Sequence, residues 1–178
     1  MSKPIVSPQL VWITPVFAVS AALTAADFPA LAAAGIKAVI SNRPDGESAD
    51  QLLGKREAGL AWQSGMLFRH VPAAKHDLFT DSVVEGMADA LRDLKGPIVA
   101  HCASGLRSAI VWAAASARSQ PVDCVLEALA KANIDLGAIR DDLEAQADRK
   151  RWLGGPAAAL DCECGMEATV VPLAAATR

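Results

Sequence analysis

The feature that most limits what this chain can fold into is a short apolar run ending at a cysteine, followed by a glycine-containing loop. The run spans Ile98 to Ala100, has the branched composition of a buried strand, and stops at His101 and Cys102. A helix-like run begins at Leu106, immediately before Arg107. A strand, a loop and a helix in this order place the loop at the carboxyl end of a strand, where α/β proteins bind their ligands. The loop is therefore predicted to be a binding site.

This loop has the composition of an anion site with a thiol at its base. Successive backbone N–H groups can converge on an anion, and the N-terminus of the following helix adds positive potential. Arg107 can hold two oxygens of a phosphate-like group. Because these features favour a thiolate, we expect Cys102 to be a nucleophile with a lowered pKa, although strand-end cysteines are commonly core residues. The predicted anion-binding loop comprises Ala103, Ser104, Gly105, Leu106 and Ser108.

Apolar β-type runs alternate with helical patterns along the chain, which predicts an α/β fold with a largely parallel sheet. Strands are predicted at 11–13, 17–19, 36–41, 66–71 and 98–100, and helices at 24–34, 51–59, 80–94, 106–118, 122–132 and 136–152. The two strands around Pro15 are expected at a sheet edge. The polar segment from Asn42 to Glu47 directly follows a strand, so we expect it to meet the cysteine loop at one rim.

A boundary near Gly154 separates two predicted parts of the chain. We expect a catalytic domain over residues 1–153 and an appended tail over 154–178, which carries Cys162 and Cys164. A Cys-x-Cys pair can bind soft metals or act as a redox pair, but incidental exposed cysteines are the commoner case. Two ligands do not make a closed zinc site, so no metal and no cofactor is predicted.

Charge and hydropathy restrict the partners. A net charge of −3 and a pI of about 5.6 do not suit a nucleic-acid binder. The apolar stretch from Leu10 to Leu23 is interrupted by Pro15 and too short to span a bilayer, so we interpret it as entry strands and predict no membrane association. Four cysteines without a regular disulfide framework favour a reducing, cytoplasmic location. The expected partner is a small anionic substrate, and the oligomeric state is left open.

Four segments occur in the order and spacing of a known family: Ile13 to Pro15, Leu31 to Lys37, Asn42 to Glu47 and His101 to Ser108. In these residues the chain resembles the phosphatase-like domain of the beta-lactamase-hydrolase-like proteins. That domain is related to dual-specificity phosphatases, and some of its members are labelled sulfurtransferases. The resemblance covers roughly residues 10–150. It implies a dual-specificity-phosphatase-like fold with a central, mostly parallel sheet of four or five strands and helices on both faces.

The resemblance also implies roles for residues of the loop. Cys102 would attack phosphorus, while Arg107 and the loop amides would hold the phosphoryl oxygens. His101 would order the loop, and the hydroxyl of Ser108 would help the thiolate to leave.

Supporting groups are expected upstream of the loop. Asp77 is the first candidate for the general acid, with His76 and Asp45 as alternatives, although Asp77 also suits a solvated loop charge. Arg43 is expected either to bind anions at the rim or to form a salt bridge with Asp45 or Glu47. Asn42 is expected to support these residues or simply to hydrogen-bond its own turn.

The length of the loop leaves more than one function open. Four residues separate Cys102 from Arg107, whereas classical tyrosine phosphatases have five and rhodanese-type sulfurtransferases have a loop of similar size. A shorter loop makes a narrower cradle, which suits a single sulfur atom, but His101 and Ser108 match the phosphatase signature. The predicted function is a cysteine-dependent phosphatase. The alternatives are a rhodanese-like sulfurtransferase carrying a persulfide on Cys102 and a non-catalytic, anion-binding regulatory module.

Overall fold

Five short strands form one sheet in the computed structural model, which describes residues 8–153. The strands are β1 (Val11–Thr14), β2 (Phe17–Ser20), β3 (Ala38–Ser41), β4 (Leu67–His70) and β5 (Ile98–His101). The helices are α1 (Asp27–Ala33), α2 (Gly54–Gln63), α3 (Asp81–Asp93), α4 (Leu106–Ala117), α5 (Val122–Lys131) and α6 (Arg140–Leu153), the last preceded by a 3-10 turn at Gly137–Ile139. Over the described residues, none of these helices combines the length and apolar character that a membrane crossing requires.

The sheet has the strand order β1-β2-β5-β3-β4, which places the strand before the cysteine loop at its centre. Strands β2, β5, β3 and β4 run parallel, and β1 pairs antiparallel with β2. Pro15 lies in the tight turn between β1 and β2, where its missing N–H costs no ladder bond. The predicted α/β fold with a mostly parallel sheet is confirmed. Of the two strands around Pro15, β1 lies at the predicted edge, whereas β2 is an inner strand because it also pairs with β5.

Side chains alternate along the three inner strands and divide the core into two layers. Val39 and Val99 point to the layer covered by α1 and α2, which also contains Phe28. Ile40 and Ala100 point to the opposite layer, which is covered by α3, α4, α5 and α6. The expected helices on both faces of the sheet are therefore present.

Three helix starts differ from the sequence prediction. Helix α1 begins at Asp27 rather than at residue 24. Helix α2 begins at Gly54 rather than at residue 51, because the Gly54 N–H is bound by the distant carboxylate of Asp45, 2.7 Å away. The side chain of Gln51 donates instead to the carbonyl of Pro44, so residue 51 belongs to the loop. The last predicted helix opens as a 3-10 turn before α6. The tail over 154–178, with Cys162 and Cys164, lies outside the described residues.

Candidate active site

The cysteine loop joins the central strand β5 to α4, and its sulfur is surrounded by N–H donors. Cys102 is 1% exposed, and its Sγ accepts a hydrogen bond from the Gly105 N–H at 3.1 Å. Burial raises the pKa of the Cys102 thiol. Hydrogen bonds from the backbone N–H groups of Ser108, Ser104, Gly105 and Arg107 together lower it by more, so the pKa falls below its usual value. A buried thiol in this setting is biased towards the thiolate.

Backbone geometry fixes the loop in this shape. Gly105 has a φ of +93° and immediately precedes α4, and a Cβ at this position would lie 3.2 Å from the carbonyl oxygen of Ser20. The Ala22 N–H donates to the carbonyl of Ala103, which fastens the other side of the loop. Ser104 and Leu106 expose their side chains towards solvent beside the buried sulfur. The loop therefore presents N–H groups inwards and side chains outwards.

Arg107 connects the cysteine loop to the segments that follow the two neighbouring strands. Its Nη1 donates to the carbonyl of Ala73 at 2.8 Å, and its Nη2 donates to Oε2 of Glu47 at 2.6 Å. Glu47 follows β3 and Ala73 follows β4, so the guanidinium ties three strand ends together. A guanidinium has five N–H donors, so these two bonds fix its plane without using all of them.

Glu47 is a site residue that the sequence interpretation did not assign to Arg107. Its Oε2 also accepts a hydrogen bond from Nε of Arg43 at 3.0 Å. The hydrogen bond from Arg107, followed by that from Arg43, holds the pKa of Glu47 below its usual value despite an opposing effect of burial. Of the two roles expected for Arg43, the structure contains the salt bridge, and its partner is Glu47.

Asn42 and Asp45 hold the rim together through main-chain groups. Asn42 is fully buried, and its Nδ2 donates to the carbonyl of Val71 at 2.9 Å. Its backbone N–H donates to the carbonyl of His101 at 2.8 Å. Asn42 therefore joins the ends of β3, β4 and β5 rather than bonding only its own turn. The Oδ1 of Asp45 is bound to the Gly54 N–H, so this carboxylate stabilises the start of α2.

The two remaining acid candidates lie together after β4. The Nε2 of His76 is 3.4 Å from Oδ1 of Asp77, and the two side chains are 84% and 43% exposed. The Asp77 N–H donates to the carbonyl of Ala74, which is next to the residue that holds Arg107. The structure thus brings this segment to the cysteine loop through its backbone, and leaves the two side chains accessible.

Behind the loop, a buried carboxylate faces the histidine that precedes the nucleophile candidate. His101 and Glu57 are 0% and 3% exposed, and Nε2 of His101 lies 3.3 Å from Oε1 of Glu57. Glu57 was not predicted as a site residue. The spacing of Gly54, Glu57 and Ala61 places them on one face of α2, but only the packing of the helix shows that this face is buried.

Within the described residues, no group of three or more histidine, cysteine or acidic side chains could hold a metal ion. A groove of about 670 Å³ lies at the opposite end of β5, where Phe17, Ile98 and Trp112 line it. The groove is separated from Cys102 by the length of the strand.

A doubly covered, mostly parallel sheet with a cysteine loop at the end of its central strand defines a class of protein with a phosphatase-like α/β fold. The chain belongs to one family within it, described as beta-lactamase hydrolase-like protein, phosphatase-like domain, whose model matches residues 9–119. A beta-lactamase hydrolase-like protein of Agrobacterium fabrum (strain C58 / ATCC 33970) is 32% identical over 87 residues, which are 49% of this chain and 20% of that protein. The chain thus spans about a fifth of that relative's length.

Solved structures agree with this assignment. The crystal structure of a phosphatase candidate from Neisseria meningitidis Z2491 superimposes with a TM-score of 0.65 and 28% identity, over 76% of this chain and 96% of that one. Kinase associated phosphatase, solved with serine in place of its catalytic cysteine, gives a TM-score of 0.59 at 16% identity, over 82% and 97% of the two chains. The second likeness concerns the fold alone. The expected relationship to dual-specificity phosphatases is confirmed at the level of the fold.

Proposed function

We propose that this chain is a cysteine-dependent phosphatase that hydrolyses phosphate esters, with Cys102 as the nucleophile. The observation that carries the proposal is the buried Cys102 sulfur at the end of the central strand, to which the Gly105 N–H donates at 3.1 Å. The backbone N–H groups of Ser108, Ser104 and Arg107 act in the same direction and lower the pKa of the thiol. The same N–H groups and the guanidinium of Arg107 suit the equatorial oxygens of a phosphoryl group in the transition state. The family assignment supports the same reaction class.

The reaction has two steps. The Cys102 thiolate attacks phosphorus, forming an S–P bond while the P–O bond to the alcohol breaks, and an acid protonates the departing oxygen. Water then attacks phosphorus, the S–P bond breaks, and inorganic phosphate and the thiolate are released. The Oγ of Ser108 is buried and has no hydrogen-bond partner among the described residues, which leaves it able to donate to the departing thiolate.

Asp77 is proposed as the acid, and His76 is the alternative. We expect Asp77→Asn to lower kcat about a hundredfold for phenyl phosphate and much less for p-nitrophenyl phosphate, because a good leaving group needs little protonation. His76→Gln is the matched control from the neighbouring position. If His76→Gln carries the leaving-group effect instead, the acid is the histidine.

The function itself is tested by phosphate release from an aryl phosphate, comparing the wild-type chain with Cys102→Ser. Activity that disappears in the variant is the expected result. Thiocyanate formation from thiosulfate and cyanide, without phosphate release, would make the chain a sulfurtransferase and overturn the proposal. Absence of both activities, with phosphate still protecting Cys102 from alkylation, would make it an anion-binding module.

A further inference from the structure

The pair formed by Glu57 and His101 has no counterpart in the reaction described above. Both side chains are buried in the layer behind β5, and Oε2 of Glu57 has no hydrogen-bond partner among the described residues. The contact between Oε1 and Nε2 is 3.3 Å long but is not aligned as a hydrogen bond. Burying two ionisable groups with so few partners costs several kcal/mol in general. Such a cost in a short chain calls for a physical explanation.

The position of Glu57 and His101 behind the cysteine loop explains why the pair is buried. His101 ends the central strand, its backbone is paired with β2 and β3 on either side, and the next residue is Cys102. Glu57 comes from α2, the helix whose first N–H is bound by Asp45. The imidazole is thus the point at which α2 touches the base of the cysteine loop.

We propose that Glu57 is a positioning residue for the cysteine loop: its buried carboxylate, 3.3 Å from Nε2 of His101, attracts the proton on that nitrogen and so holds the residue that precedes Cys102. Holding the ring fixes the start of the loop, and with it the place of Sγ among the N–H groups of the loop. The inference rests on the proposed function only in treating Cys102 as the reactive group. Because its test needs no substrate, a chain without phosphatase activity can still pass it.

The test is the pH dependence of Cys102 alkylation by iodoacetamide, followed by mass spectrometry of the peptide that contains this cysteine. In Glu57→Gln, we expect the midpoint of the profile to move up by about one pH unit, a tenfold change in the thiol–thiolate equilibrium. Glu144→Gln is the matched control, because Glu144 is an exposed residue of α6 and its loss changes the net charge equally. An unmoved midpoint in folded Glu57→Gln, or an equal shift in the control, would overturn the proposal.

A double substitution separates positioning from general loss of structure. If Glu57 acts through His101, Glu57→Gln adds nothing to the midpoint once His101→Gln is present, because residues in one network are not additive. Shifts that add would show that the carboxylate acts independently of the ring. That outcome would contradict the proposal even if both variants fold normally.

A measurement on the wild-type chain covers the case in which Glu57→Gln does not fold. The imidazole nitrogens of His101 can be assigned by ¹⁵N NMR, which reports which nitrogen carries a proton. The proposal requires a proton on Nε2, because an ionised carboxylate 3.3 Å away can attract a proton but has none to donate. A bare Nε2 between pH 6 and 8 would rule it out.

Discussion

Gly105 is the residue at which the backbone of the cysteine loop tolerates no side chain. We expect Gly105→Ala to lower the free energy of unfolding by about 1–3 kcal/mol, because φ is +93° and the new Cβ would lie 3.2 Å from the Ser20 carbonyl. The hydrogen bond from the backbone N–H of residue 105 to Sγ of Cys102 should also be displaced, which raises the midpoint of the pH profile of Cys102 alkylation. Urea unfolding and the alkylation profile measure the two effects.

Gly59→Ala is the control for this substitution. Gly59 lies within α2, and a Cβ there meets nothing within 4 Å. Alanine should therefore stabilise the helix by about 0.5–1 kcal/mol. Equal stability of the Gly105→Ala and wild-type chains would show that the loop relaxes around the methyl group.

The residues of the cysteine loop could be placed from the sequence because they lie in one stretch of chain. Cys102, Gly105 and Arg107 fall within a strand, a loop and a helix in succession, so their position at the rim can be predicted without knowledge of the tertiary packing. The partner of Arg107 could not be predicted in this way, because Glu47 lies sixty residues away. Glu57 was missed for the same reason: its contact with His101 depends on how α2 packs on the sheet.

The segment between β3 and α2 contacts both the cysteine loop and the start of α2. Its Glu47 pairs with Arg107, and its Asp45 accepts from the first N–H of α2. That second contact explains the misplaced helix start: the accepting side chain is nine residues from the helix and leaves no local capping pattern. The start of α3 after Thr80 and that of α4 at Leu106 were predicted correctly, because their signals are local.

Acid should weaken the contact between this segment and α4. Because the pKa of Glu47 is lowered in the folded chain, its stabilising effect is complete above the usual glutamate pKa and is lost as the pH falls through the lowered value. We expect Glu47→Gln to reduce the free energy of unfolding at pH 7 by up to about 1 kcal/mol, since the pair is partly screened by solvent. The difference from wild type should shrink towards pH 3.

Urea unfolding at several pH values measures this effect. Glu144→Gln again controls for the charge change alone, because Glu144 pairs only loosely with Arg140, at 3.6 Å, on the surface of α6. A difference between Glu47→Gln and wild type that persists unchanged at pH 3 would contradict the ionic origin of the contact.

For the whole molecule, the class of fold could be predicted because strands and helices alternate along the chain. The strand order β1-β2-β5-β3-β4 could not, because it depends on pairings between distant segments. The result is a sheet whose three inner strands are buried on both faces. Stability should therefore depend on both core layers.

Phe28 tests the smaller of these layers. It is a fully buried residue of α1, so we expect Phe28→Ala to lower the free energy of unfolding by about 3–5 kcal/mol. Trp62, which is 80% exposed on α2, is the control, and Trp62→Ala should change stability by about 0.5 kcal/mol or less. Urea denaturation of both variants gives the comparison. A small change in the free energy of unfolding of Phe28→Ala would mean that neighbouring side chains repack to fill the cavity left by the ring.

The hydrogen bond from Arg107 to Ala73 has a consequence for how such proteins diversify. The accepting atom is a main-chain oxygen, so the bond does not depend on which side chains occupy positions 74 to 79. Those positions follow β4 and are held at one end by an atom that every amino acid supplies. The exposed side chains of this stretch, Lys75 and His76, can therefore change in evolution or by engineering while the guanidinium keeps its orientation, whereas Leu78 and Phe79 are constrained because they pack against the core.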